Sequence, residues 1–215
     1  MPIEISGTTG ISGVEGSVSA PVLTGTDSNC GISFPSADTI KFSTGGVERM
    51  QISNSGITGI GLGKFTSYAI IADQKSSSSE GGVFSIGDWR TRDLNTELSD
   101  ADGIVSISSN QFTLQAGTYL IEADAPAFSI NRHIIKLYQT SGTPADIAFG
   151  TSEFGSLSYA AQTRSFLSTR VTISSATTYE IRHRCQSTYS GSEGFGVASD
   201  LAIETYTVVK IFKEA

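Results

Sequence analysis

Apolar and polar residues alternate along most of the chain after residue 65, and no segment keeps a helical period over ten or more residues. In "TYLIEADAPAF", Tyr119, Ile121, Ala123 and Ala125 share one face, while Glu122 and Asp124 share the other. In "SFLSTRVTI", Leu167, Val171 and Ile173 oppose Ser168 and Arg170. In "TTYEIRHRCQ", Tyr179, Ile181, His183 and Cys185 oppose Glu180, Arg182 and Arg184. Period two predicts half-buried strands throughout, hence an all-β chain. "YTVVKIFK" differs, with Val209 and Ile211 on one face and Tyr206, Val208 and Phe212 on the other. A strand that is apolar on both faces is buried on both. In a two-layer fold the outer of those faces needs a partner, and another subunit is the natural supplier.

The front of the chain has a different pattern. Ile40 and Phe42 flank Lys41, a Gly45-Gly46 turn follows, Met50 and Ile52 flank Gln51, and Asn54-Ser55-Gly56 turns the chain again. Each strand carries two or three apolar residues, too few for a hairpin to stand alone in water. Most Tyr and Phe residues, and Trp89, come after residue 64. A boundary is therefore expected at 62 to 67, with residues 1 to 63 disordered alone or ordered by other chains. The expected division is an extended arm over 1–25, a short β-shaft over 26–64 and a head over 65–215. Gly7, Gly10, Gly13 and Gly16 fall at every third position, but without proline, so the run reads as linker and not as collagen.

Composition narrows the partners. The net charge is -7 and no basic stripe forms, which argues against nucleic acid. Cys30 and Cys185 are far apart and read as two reduced thiols. "MPIEISGTTG" has no basic start or apolar core, and no window of about 18 apolar residues occurs. No secretion signal and no membrane insertion are expected, only assembly in a cytoplasm.

Candidate chemistry is sparse, and no enzyme, cofactor or metal is expected. His133 and His183 read as packed or surface residues. There is no Gly-x-Ser-x-Gly elbow and no Cys/His pair at zinc spacing. "DADG" at 100 to 103 lacks the further acidic ligands of a calcium loop and reads as a turn. "GSEGFG" at 191 to 196 precedes a strand rather than a helix, so it too is a turn. No pair of carboxylates stands out for glycoside cleavage. Arg182 and Arg184 beside Glu180 form a charged strand face, suited to ion pairs or to a carboxylated sugar.

Two stretches carry a resemblance. "CGISFPSADTIKFSTGGVERMQISNSG", within residues 26 to 61, resembles a unit that recurs in structural proteins and tail fibres of tailed bacteriophages. Cys30 stands where Thr is common in that unit. Residues 66 to 215 resemble the jelly roll of the complement first-component head and of tumour necrosis factor. The matching pieces include "SYAIIAD", "FTLQAGTYLIEADA", "RHIIKLYQ", "GFGVAS" and "YTVVKIFK".

The resemblance implies a homotrimeric virion protein with a trimeric β-shaft and a jelly-roll head. The leading reading is a tail fibre that attaches the virion to a host glycan or protein, its arm docked on other virion proteins. A capsid decoration or head-fibre protein is the alternative, and a carbohydrate-depolymerising fibre enzyme a third. The family topology implies that loops 72–82, 129–131, 174–178 and 200–205 lie away from the termini. Lys75, Ser78, Tyr189 and Glu193 are the candidate receptor contacts.

Overall fold

Glycine pairs and matched isoleucines shape the front of the chain. The structure, a computed structural model, describes residues 4–6, 10–12, 15–59 and 65–214. It divides into Met1–Lys64 with Ala215, and Phe65–Glu214. In the front unit, β1 (Glu4–Ser6) pairs antiparallel with β2 (Gly10–Ser12). Gly10 of the glycine run thus lies opposite Ser6 in a strand, while Gly7 and Gly13 lie outside the described residues.

A second sheet of the front unit is an antiparallel meander of β3 (Leu23–Thr24), β4 (Gly31–Ser33), β5 (Ile40–Thr44), β6 (Val47–Ser53) and β7 (Gly56–Gly59). Gly45 and Gly46 both take left-handed backbone, φ 61° and 73°, as a two-residue hairpin between right-twisted strands requires. That turn sets the register, which places Ile40 opposite Ile52 and Ile52 opposite Ile57. Ile32, Phe42 and Met50 form the next row. On this face Ile40, Ile52, Ile32, Phe42 and Met50 are half-buried, and Ile57 is 60% exposed. The other face carries the Lys41–Glu48 ion pair at 2.7 Å. Residues 15 to 25, expected in an extended arm, instead contribute β3 and a turn in which Ser17 and Ala20 exchange backbone hydrogen bonds. Leu23 opposite Ile32 explains the difference, since it extends the second apolar row by one strand.

The head is a jelly-roll sandwich. Its strands are β8 (Phe65–Lys75), β9 (Arg90–Thr91), β10 (Thr96–Ser99), β11 (Val105–Ser108), β12 (Gln111–Leu114) and β13 (Gly117–Phe128). They continue with β14 (Asn131–Gln139), β15 (Ala145–Phe149), β16 (Glu153–Gly155), β17 (Gln162–Ile173), β18 (Thr177–Cys185) and β19 (Glu204–Glu214). The first sheet has the order β10-β8-β19-β13-β17, and the second β11-β12-β18-β14-β15, with β9 on β18 and β16 on β14. The earliest long strand and the last one lie side by side inside one sheet, as a double Greek key demands.

The alternation seen in the sequence becomes the core. Tyr119, Ile121, Ala123 and Ala125 of β13 face Ile135 and Leu137 of β14 and Tyr179 and Ile181 of β18 in one buried cluster. Each fully buried aliphatic side chain there contributes about 1.5–3 kcal/mol. β19 departs from strict alternation. A register shift falls between Thr205 and Val208, and Tyr206 there is 2% exposed and donates to Ser79 O at 2.6 Å. Tyr206 is thus covered by the loop after β8 rather than left open like a residue of an uncovered outer face.

Strand direction sorts the loops. Phe65 pairs with Glu214 at one end of the head, and Lys75 with Glu204 at the other. The far end gathers the loops after β8, β13, β16 and β18. Ser129 N donates to Ala161 O at 3.1 Å, Phe128 N to Gly194 O at 3.1 Å, and Gly81 N to Gly196 O at 2.9 Å. Gly117 is paired with Ile173 beside the chain ends, so loop 174–178 lies there, contrary to its expected place.

Candidate functional site

Polar groups that the sandwich has buried occupy the far end of the core. His133 on β14 and His183 on β18 are two residues out of register, His183 lying opposite Ile135, and both face inward. His133 Nδ1 is 2.9 Å from His183 Nε2, and His133 Nε2 is 2.8 Å from Thr163 Oγ1. Phe84 packs on His183 with ring centroids 4.7 Å apart. Arg92, 1% exposed, donates from Nε to Thr207 Oγ1 and from Nη2 to Phe195 O, both at 2.8 Å. Its guanidinium lies 4.3 Å from the Phe195 ring centre.

Burial, and then the Arg92 charge, lower the His133 pKa to about 4, and the same causes hold His183 well below the ordinary imidazole range. Burial brings Arg92 down to about 10, against the pull of Asp73 and Asp93. The rings are neutral and packed, and this cluster is structural chemistry. Sequence alternation placed His183 on an apolar face, but its pairing with His133 depends on the β14–β18 register, and Arg92 stood in no recognisable strand pattern.

The four candidate contact residues lie on the strand end and loops of the far end. Lys75 Nζ is engaged by Asp93 Oδ2 at 2.8 Å and Asp73 Oδ1 at 3.1 Å. Ser78, with φ 64°, donates its N–H to Glu204 Oε1 at 3.3 Å. Glu204 also accepts from the Ser199 and Asp200 N–H groups, at 2.8 and 2.9 Å, and these bonds hold its carboxyl below the usual range. Tyr189 is half-buried, its ring edge-on to Phe128 at 5.2 Å, rather than free for stacking. Glu193 is half-buried in the loop after β18. The turn glycines of that loop are close-packed. Gly196 has φ 143°, and a Cβ there would meet the Tyr206 ring at 2.3 Å.

Asp100 spends both carboxylate oxygens on the backbone N–H groups of Ile104 and Val105, at 2.8 and 3.0 Å. That is a turn, and the oxygens are not aimed at an ion. Cys30 and Cys185 are free thiols, and burial pushes Cys185 up to about 11.

The outer faces of the two sheets differ in character. On the first, a cross-strand row runs Tyr68, Phe212, Leu120 and Arg170. Tyr68 is 54% exposed and Phe166, on the same face, 55%. On the second, cations meet aromatics. Lys136 Nζ is 4.2 Å from the Trp89 ring centre and 2.5 Å from Asp146 Oδ1. Arg182 lies 3.6 Å over the Tyr138 ring and is paired with Glu180. Next to this pair-rich half is a concavity of about 500 Å³, lined among others by Arg132, Ile134, Glu153, Phe154, Arg184 and Gln186.

No family model and no curated protein matches the chain. Among solved structures it is similar to murine APRIL at pH 5.0, at 7% identity and a TM-score of 0.48, covering 68% of this chain and 98% of that one. It is also similar to the globular domain of zebrafish complement 1qA, at 16% identity and a TM-score of 0.42, covering 68% and 96%. Eiger TNF from S. frugiperda is a third, at 10% identity and a TM-score of 0.44, covering 71% and 94%. The strand order itself defines the class: an all-β protein with a jelly-roll sandwich head.

Proposed function

We propose that the protein is a homotrimeric, non-enzymatic attachment element of a tailed bacteriophage, a tail fibre assembled in the host cytoplasm and carried on the virion. The observation that carries this reading is the outer face of the first sheet. Tyr68 and Phe166 stand more than half exposed on a rigid sheet, with the half-buried Phe212 and Leu120 in a row beside Tyr68, and exposed apolar side chains grouped on one face mark association sites. Three copies is the number implied by the resemblance of residues 66 to 215.

The front unit supports the same reading, because Ile57 is 60% exposed in a row with Ile52 and Ile40, and three copies around an axis would bury that row. The far-end loops then face the host, and the arm docks on other virion proteins. The non-enzymatic part is supported by the use of the buried titratable groups. His133 is engaged by His183 and Thr163 and Arg92 by Thr207 and the Phe195 carbonyl, while His183 is wholly buried, its Nδ1 without a partner.

A density map of the particle with this chain traced tests the proposal. A front arm seated in a larger assembly and a projecting head are expected. A head lying flat on the capsid with its front end in solvent would replace attachment by decoration.

A further inference from the structure

The outer face of the second sheet divides its cations into two groups. Lys136 and Arg182 are neutralised by Asp146 and Glu180 and covered by Trp89 and Tyr138. Arg132 and Arg184 are exposed and form no ion pair among the described residues. In a chain with 21 acidic and 14 basic residues, two adjacent unpaired guanidiniums lining one concavity are a specific arrangement.

We propose that this concavity binds a carboxylated sugar residue of a surface polysaccharide; the inference builds on the attachment reading. The register assembles the parts. Phe154 on β16 lies opposite Arg132, and Ile134 opposite Arg184, so an aromatic ring, an aliphatic floor and two guanidiniums share one surface. Gln186 Oε1 accepts from Arg132 Nη1 at 3.0 Å and fixes that guanidinium. Arginine forks match a carboxylate with two parallel hydrogen bonds. Phe154, 55% exposed, offers a flat apolar face for the C–H side of a pyranose ring.

One carboxylate, Glu153, also lines the concavity. Glu153 is opposite His133 in register, one residue out of phase with Phe154, and accepts from Thr151 Oγ1 at 2.9 Å. A volume of about 500 Å³ is within the range of small-ligand sites. An acidic peptide fits less well. β14, the floor, is hydrogen-bonded to β18 on one side and β16 on the other, so the floor strand itself offers no open edge for β-addition. Recognition here is by side chains around a compact ring. Three such sites per trimer would convert weak single contacts into firm attachment.

The test is calorimetric titration of the full chain with trigalacturonate and with sialyllactose. Galactotriose and lactose serve as neutral controls and triglutamate as the peptide arm. At least one acidic saccharide is expected to bind while its neutral counterpart does not. Arg184→Gln should weaken that binding about tenfold, by loss of the bidentate contact. Phe154→Ala should also weaken it, Arg49→Gln in the front unit should not, and added salt should reduce it. Binding of neither acid above its control, no effect of Arg184→Gln, or tighter binding of triglutamate would each overturn the proposal. Sedimentation of the same samples separates the two readings. A trimer indifferent to both acids rejects this site alone, and a monomer that binds one rejects the trimeric attachment reading alone.

Discussion

His133 Nδ1 lies 2.9 Å from His183 Nε2, with both rings buried between the two sheets of the head. The pair is flanked by Arg92, Phe84 and Thr163, so neither imidazole has a carboxylate to favour its charged form. Its neutrality links folding to pH.

The folded-state pKa of His133 is about 4, below the ordinary 6.5, so the unfolded chain takes up the proton first as pH falls. Head stability is therefore complete above about pH 6.5 and is lost progressively between 6.5 and 4, by about 3 kcal/mol from His133. His183, lowered in the same direction, adds to the loss. Urea unfolding across this range should show the slope in the native chain and a flatter one in the double variant His133→Gln, His183→Gln. Equal slopes would remove the pair as the cause.

Arg92→Ala strands Thr207 Oγ1 and the Phe195 carbonyl and leaves Asp73 without its nearby buried cation. The expected cost is about 3–5 kcal/mol, with Arg92→Met costing less because it keeps the volume. Denaturant midpoints of the two variants check this, and a loss below 1 kcal/mol for Arg92→Ala would contradict it.

Gly196→Ala forces a methyl group into the Tyr206 ring and strains φ 143°. About 2 kcal/mol of destabilisation is expected. Gly25→Ala, where nothing lies within 4 Å, should leave the melting of the protein unchanged. Thermal melts of both variants settle the contrast, and equal melting temperatures would mean that the far-end loops are more pliant than their packing indicates.

Much of the fold was legible because burial of one sheet face writes itself as period two. Tyr119, Ile121 and Ala123 could be assigned to the core from their spacing, and Gly45-Gly46 to a turn from the left-handed backbone that it needs. Features set by long-range register were not. The β14–β18 pairing that joins His133 to His183, and the β14–β16 pairing that puts Phe154 beside Arg132, link residues 20 to 50 positions apart with no local signature. The burial of Tyr206, whose hydroxyl donates to Ser79 O 127 positions away, likewise leaves no mark in the alternation. Arg182 and Arg184 were visible as a charged face. That one is paired and the other is not depends on where Tyr138, Glu180 and Ile134 fall.

In the proposed assembly the outer face of the first sheet joins three copies of the chain. Leu120 and Phe166 are its most direct levers, since they are half-buried or exposed and face away from the core. Sedimentation equilibrium of the full chain at micromolar concentration should give three times the chain mass of 22.6 kDa, and Leu120→Glu with Phe166→Glu should bring it down to a folded single chain. A native protein that sediments at 22.6 kDa would contradict the account.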